Sequence, residues 1–329
     1  MTRRLVEALS RRPVDRTPVW IMRQAGRYLP EYRELRTRHS FQEAVSTPAV
    51  AAEITLQPIR RFGMDGAVIF ADIMTPLEAM GVEMTFDPGP RLRPHTLEEV
   101  IALPELDPER VRFVAETIGK VRAEVDDEVA VIGFAGAPTT LLAYLVEGGG
   151  SKDFMELRAA VHADPTAAVA ALDRLAQAMR AYLGMQVAAG ADVVQLFDTW
   201  AGVFDRSAYR RFCVPAARSS LAGVDAPTIY FAPGAAHTLD LQSEVGAVGY
   251  GIDWRIPIDE AWTLLGDVSV QGNVDPAVLR TDPATIRAAV AEVRSLVGGR
   301  PGHIMNLGHG IDRHTPPEHV SAFIEAVRS

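Results

Sequence analysis

The chain has one cysteine, Cys213, among 329 residues. A single thiol can form no internal disulfide, and it disfavours a structural zinc site built on cysteines. Cys213 lies in Tyr209-Arg210-Arg211-Phe212-Cys213-Val214-Pro215, which reads as an amphipathic helix. Free cysteine is among the most buried residue types, so a structural thiol is expected. Lysine is nearly absent. Only Lys120 and Lys152 are lysine, which leaves 31 of the 33 basic residues (33 − 2) as arginine. No apolar run approaches the roughly 18 residues of a membrane span. The N-terminus, Met1-Thr2-Arg3-Arg4-Leu5-Val6-Glu7, breaks into charge with no apolar signal region. These absences predict a cytoplasmic protein without a membrane partner. The net charge of −9 disfavours nucleic acid as a non-specific partner. No G-x-G-x-x-G follows the first expected strand, and no G-x-x-x-x-G-K-[ST] occurs. Gly246-x-x-Gly249-x-Gly251 has the wrong spacing. There is no internal repeat and no Pro/Ser-rich linker. Gly148-Gly149-Gly150-Ser151 reads as a loop, so 1–329 is expected to be a single domain.

Hydrophobic residues make up 48% of the chain, enough for a large core. Short apolar runs bounded by Gly, Asp or Pro look like buried parallel strands. They are Gly66–Phe70, Val129–Phe134, Asp192–Phe197, Thr228–Phe231, Val248–Ile252, Val268–Gln271 and His303–Asn306. Helical patterns separate most of them. Asp107–Val125 and Asp164–Ala189 open on Asp-Pro, a good cap and first turn. Thr281–Val297 contains Asp282-Pro283 and stops at Gly298-Gly299. Pro316–Val327 closes the chain. Strand–helix alternation implies a parallel sheet. Seven or eight such units fit a (β/α)8 TIM barrel better than a dinucleotide-binding sheet. Val82–Phe86 and Pro18–Met22 compete for the eighth strand.

Barrel chemistry sits at the C-terminal strand ends. There the sequence places small residues with one polar group: Asp72, Asp198 and Thr199, Asp253, Asn273, Asn306 and His309. Turns favour such residues anyway, but their repetition strand after strand predicts a pocket on that face. One further stretch stands out, Pro18-Val19-Trp20-Ile21-Met22-Arg23-Gln24-Ala25-Gly26-Arg27-Tyr28-Leu29-Pro30. Two arginines flank Gln-Ala-Gly inside apolar surroundings. Gly26 and Pro30 argue against a regular helix. Paired guanidiniums beside aromatic surface suit carboxylate or phosphate. The alternative is a buried ion pair with Glu31 or Glu34.

Pro18-x-Trp20-x-Met22-Arg23-Gln24-Ala25-Gly26-Arg27 resembles the N-terminal signature of the uroporphyrinogen decarboxylase family. Gly133-Phe134-Ala135-Gly136-Ala137-Pro138-Thr139-Thr140 through Gly148 resembles its second signature. Phe70-Ala71-Asp72-Ile73, Leu196-Phe197-Asp198-Thr199-Trp200-Ala201-Gly202, Gln271-Gly272-Asn273-x-Asp275-Pro276 and Asn306-Leu307-Gly308-His309-Gly310 follow in the family's order. Thr139 departs from the family's usual aromatic residue, and Thr199 replaces the serine of some members.

The resemblance implies a (β/α)8 barrel with an N-terminal helical and arginine-loop extension, forming a homodimer. It implies a lyase of porphyrin (heme) biosynthesis. Such a decarboxylase removes the four acetate carboxylates of uroporphyrinogen III, a tetrapyrrole, to give coproporphyrinogen III, with no cofactor and no metal. By motif, Asp72 would stabilise the cationic pyrrole, and Arg23 and Arg27 would hold carboxylates. Gln24, Ala25, Gly26, Tyr144, Thr199 and His309 would complete the substrate site. Two rivals remain open: a zinc-dependent methyltransferase of the same superfamily, and a non-catalytic tetrapyrrole or anion carrier. The first would need His and Cys ligands near Tyr230-Phe231-Ala232-Pro233-Gly234, where there are none. The second would have no use for Asp72.

Overall fold

The computed structural model describes residues 3–86 and 89–329, so Met1 and Thr2 of the charged N-terminal segment lie outside the described residues. Seven strands form one parallel sheet in sequence order. They are β1 (Gly66–Val68), β2 (Ala130–Gly136), β3 (Val193–Phe197), β4 (Thr228–Phe231), β5 (Gly249–Gly251), β6 (Ser269–Gln271) and β7 (His303–Ile304). All seven coincide with expected runs, and most are trimmed at their ends. The first run was expected to reach Phe70, but the Phe70 N–H donates instead to Thr55 Oγ1 at 2.9 Å, and the ladder stops.

The segment Pro18–Trp20 closes the sheet into a barrel. Val19 bridges Met305 in parallel. Met305 N donates to Pro18 O at 2.9 Å, and Asp65 N donates to Val19 O at 2.9 Å. The segment therefore lies between the first and last strands. Of the two candidates for the eighth position, Pro18–Met22 supplies it. Thr85–Phe86 instead pairs antiparallel with Pro90–Arg91 in a separate hairpin.

Three residues of strand make a weak ladder, and side chains reinforce it. Asp65, almost fully buried, accepts Val19 N at 2.9 Å and both terminal nitrogens of Arg16 at 2.7 Å. A bidentate guanidinium–carboxylate fork fixes direction as well as charge. Inside the barrel, Trp20 Nε1 donates to Gln271 Oε1 at 2.9 Å, and Gln271 Nε2 to Gln195 Oε1 at 3.1 Å. All three are buried, so this chain of bonds satisfies groups that would otherwise be orphaned in the core.

The outer helices begin where Asp-Pro predicted. Asp164 accepts Thr166 N and Ala167 N at the start of Pro165–Ala188, and Asp282 does the same at Ala284 N and Thr285 N for Pro283–Val297. The latter ends on Gly298 in a left-handed conformation (φ 61°), which glycine adopts without steric cost. The Asp107 segment opens with a 3-10 turn, Pro108–Val111, before the helix Arg112–Glu124. Around Cys213 the expected helix contains a π-turn, Tyr209–Cys213. Its thiol is buried, and burial pushes its pKa up, away from a reactive thiolate. No helix among the described residues is long and apolar enough to cross a membrane.

Replacing Asp65 with Ala should cost about 3 kcal/mol, because it leaves a guanidinium without its carboxylate and Val19 N without an acceptor. Urea unfolding would measure this, and a loss below about 1 kcal/mol would show that the clamp does not hold the barrel closed.

Candidate active site

Beyond Trp20 the chain folds back over the barrel mouth in a tight, irregular path. Gln24 N donates to Ile21 O at 2.9 Å, and Leu29 N to Gly26 O at 3.2 Å. Three residues here have positive φ: Arg23 at 63°, Gly26 at 119° and Arg27 at 26°. For a side-chain-bearing residue this costs about 1–3 kcal/mol. Both arginines therefore hold conformations that their own backbones disfavour, and the surrounding packing must impose them. Gln24 supplies much of that constraint. It is fully buried, its Oε1 accepts Ile21 N at 2.9 Å, and its Nε2 donates to Gly66 O at 2.7 Å. The Asn306 side-chain oxygen accepts Met22 N at 3.1 Å and ties the loop to the last strand.

Below the loop is a cleft of about 1070 Å³, counted out to its open mouth. Arg23, Ala25, Arg27, Asp72, Thr199 and His309 all line it. Gln24 and Gly26 shape the loop from behind. Tyr144 stands beside the cleft, its ring 6.1 Å from that of Trp200. Burial raises its hydroxyl pKa, and the charges of Asp72 and Arg23 reach it. The remaining strand-end polar groups are engaged elsewhere. Asp253 accepts Arg255 N, Asn273 Nδ2 donates to Asp253 O and Ile256 O, and Asn306 holds the loop. Asp198 is fully buried, accepts from Tyr230 Oη at 2.8 Å and Thr140 Oγ1 at 3.0 Å, and has its pKa pushed up by burial to about 6. Thr140 Oγ1 in turn accepts Trp200 N at 3.2 Å, so this network fixes the turn that carries Thr199.

The two acids nearest the arginine loop in sequence are held by other arginines. Glu31 pairs with Arg61 at 3.2 Å and Glu34 with Arg38 at 3.0 Å. Among the described residues neither Arg23 nor Arg27 has an ion-pair partner, so the ion-pair alternative is not realised. Both retain exposed surface at the mouth, where an anion can reach them. Crowding by protein and the charge of Arg27 lower the Arg23 pKa. A guanidinium stays protonated regardless, so an incoming carboxylate would relieve that unfavourable pair.

Asp72 serves two purposes at once. Its Oδ1 accepts Met74 N at 2.8 Å, as a capping aspartate would. That bond orients the carboxyl, and Oδ2 has no partner among the described residues. Burial raises its pKa, against the pull of the Met74 N–H and of Arg23 and Arg27. His309 sits between two glycines for a steric reason. A Cβ on Gly308 would lie 2.4 Å from Trp254 N, and one on Gly310 would lie 2.5 Å from Arg23 Cδ. Burial, with Arg23 and Arg255 nearby, pushes the His309 pKa down to about 4. The ring is then neutral near pH 7, a hydrogen-bonding group rather than a cation.

The apolar floor was not singled out from sequence. Phe134, Phe197 and Phe231 come from successive strands and contact edge to face, at 5.6 and 6.2 Å between centroids. Each closes or nearly closes an apolar run, which was the available signal. Phe41 and Tyr32, packed on Phe70 at 5.8 Å, form the opposite wall. The cleft thus combines an aromatic interior, one half-buried carboxyl and two guanidiniums without an ion-pair partner among the described residues.

The family model "Uroporphyrinogen decarboxylase (URO-D)" matches residues 1–329. The chain belongs to the uroporphyrinogen decarboxylase family. A uroporphyrinogen decarboxylase of Alkalilimnicola ehrlichii is 44% identical over 98% of this chain and 93% of that protein. One of Chloroflexus aurantiacus is 42% identical over 100% and 96%. Among solved structures, a methyltransferase from Methanosarcina mazei superposes with a TM-score of 0.84 over 99% of this chain and 97% of its own, at 22% identity. That likeness shows the shared barrel and nothing about chemistry. Among the described residues no group of three or more His, Cys, Asp or Glu is placed to hold a metal ion.

In an NMR titration His309 should remain neutral down to a midpoint near pH 4. A midpoint near 6.5 would show that the ring is solvated and not enclosed by the cleft.

Proposed function

We propose that this member of the uroporphyrinogen decarboxylase family removes the four acetate carboxyls of uroporphyrinogen III, yielding coproporphyrinogen III. The observation that carries the proposal is Asp72: a half-buried carboxyl whose pKa burial raises, with one oxygen fixed by Met74 N and the other without a partner among the described residues, in a cleft flanked by two arginines that have no ion-pair partner among those residues. Breaking the bond between the acetate methylene and its carboxylate releases carbon dioxide and leaves an electron pair. A pyrrole ring protonated at its α-carbon is an iminium-like cation that receives this pair. Protonation of the exocyclic carbon and loss of the α-proton then restore the pyrrole with a methyl group, at a net cost of one proton per acetate. The substrate carries its own electron sink, so this chemistry calls on no metal or organic cofactor.

In this scheme Asp72 accepts pyrrole N–H bonds and counterbalances the ring cation. A unit pair at about 4 Å and an effective dielectric near 20 is worth about 4 kcal/mol, roughly a thousandfold in rate if it acts in the transition state. Arg23 and Arg27 take the carboxylates, and Thr199, Tyr144 and neutral His309 supply hydrogen bonds around them. The Phe134, Phe197 and Phe231 floor supports the rings. The 1–329 family match supports reading the whole chain as one catalytic domain, and its working form is proposed to be a cytoplasmic homodimer.

Metal-stripped protein incubated anaerobically with uroporphyrinogen III should lose carboxylates stepwise from eight to four. Asp72→Asn should lower kcat roughly a thousandfold with a smaller change in KM. Binding without carbon dioxide release would point instead to a tetrapyrrole carrier.

A further inference from the structure

Outside the cleft, a second groove opens directly from it. Arg23, Arg27, His309 and Gly310 line both spaces and form the sill between them. The outer groove has about 780 Å³ of space and is walled further by Trp254, Asp275, Asp312 and Arg313. Of its two acids only Asp312 has a cationic partner, while Asp275 is oriented by a backbone N–H and keeps its charge. Asp275 accepts Ala277 N at 2.8 Å, and Asp312 accepts His314 N at 3.0 Å and lies 3.6 Å from Arg280. Arg313 is not occupied in the same way. Its Nε donates to His314 Nε2 at 3.0 Å, and it has no ion-pair partner among the described residues. Its side chain is exposed. Its backbone carbonyl accepts Arg33 Nη2 at 3.0 Å, while Arg33 Nε donates to Arg27 O at 3.3 Å. Arg33 thus ties the Arg313 segment to the arginine loop. Arg255, stacked on Trp254 at 4.0 Å and paired with Asp253 at 3.0 Å, adds a half-neutralised charge at the same edge.

We propose that Arg313 is the centre of an outer carboxylate-binding station at the cleft mouth, which holds propionate side chains of the macrocycle while an acetate reacts inside. This rests on the decarboxylase reading above and goes beyond it. The substrate of that reading carries eight carboxylates, and Arg23 and Arg27 can neutralise only some of them. A ring seated on the phenylalanine floor directs its remaining carboxylates outward across the sill. There the groove offers the free nitrogens of Arg313 and the outer faces of Arg23 and Arg27. Propionates survive the reaction unchanged, so the station grips substrate, transition state and product alike. Uniform binding of that kind lowers KM without raising kcat.

The test is steady-state kinetics of the full-length protein with Arg313→Gln and Arg313→Lys. The carbonyl that holds Arg33 belongs to the backbone and survives both substitutions. For Arg313→Gln, KM for uroporphyrinogen III and the inhibition constant of coproporphyrinogen III should rise together, each roughly two- to fivefold as for an exposed charge pair. kcat should stay within about twofold, and the difference from wild type should shrink in high salt. Arg313→Lys should recover most of the loss. Wild-type KM and product inhibition in an active Arg313→Gln enzyme would overturn the station alone, as would a fall in kcat at constant KM. No turnover by the unsubstituted protein would overturn the decarboxylase reading and the station with it.

Discussion

Everything at the mouth of this barrel depends on how three residues, Pro18 to Trp20, are held between the first and last strands. They are too few to hold themselves, and their partners lie at opposite ends of the chain. Asp65 solves this on one side, taking the Val19 N–H and the Arg16 fork on a single buried carboxylate. Met305 closes the other side through backbone bonds. Once the segment is fixed, the chain must turn back over the strand ends within a few residues. Gln24 braces that turn from inside, and the left-handed backbone at Arg23, Gly26 and Arg27 follows from it. Two guanidiniums arrive over the cleft because the barrel is closed there.

Charge is distributed by the same logic. The chain as a whole is acidic, at −9, yet most exposed acids near the mouth are already engaged, by Arg61, Arg38, Arg280 or backbone N–H groups. Among the described residues Arg23, Arg27 and Arg313 have no ion-pair partner there, and they outnumber the one acid of the outer groove without one, Asp275. Local potential, not net charge, decides what approaches a cleft. Inside, the situation reverses. Asp72 is enclosed by apolar surface that makes its charge costly, and His309 is kept neutral. An anionic macrocycle that becomes cationic at one ring finds guanidiniums where it is negative and a carboxylate where it turns positive.

Much of this was legible from residues alone. Seven strands appeared as short apolar runs because a parallel sheet buried on both faces leaves no room for polar alternation. Asp-Pro marked the helix starts because both residues act locally. Arg23, Arg27, Asp72, Thr199 and His309 could be picked out because they punctuate apolar sequence at strand ends. What resisted reading was set by distant contacts. The eighth strand is defined by bonds from Met305 and Asp65, so Pro18–Met22 looked no better than Val82–Phe86. Gln24 looked like a ligand group, and its amide is spent on Ile21 and Gly66. Asp198, Asp253, Asn273 and Asn306 could not be told from Asp72 by type. Which of them faces the cleft depends on partners such as Tyr230 and Met22. The phenylalanine floor was hidden for the opposite reason, since core and ligand platform use the same residues.

The central claim is that the Asp72 carboxyl, half-buried in the free protein, engages the ring N–H groups of a bound tetrapyrrole. Hydrogen-bond donors to the charged form lower a carboxyl pKa, whereas burial raises it. Binding therefore lowers the Asp72 pKa, and protons leave it over the range above the ordinary carboxylate value in which its free carboxyl still titrates. The measurement is calorimetric titration of coproporphyrinogen III, anaerobically and in buffers of different ionisation enthalpy, onto the wild type and Asp72→Asn. More protons released by the wild type than by the variant is the expected result. Equal proton release from both proteins would mean that the bound ring never meets Asp72, and would contradict the role given to it.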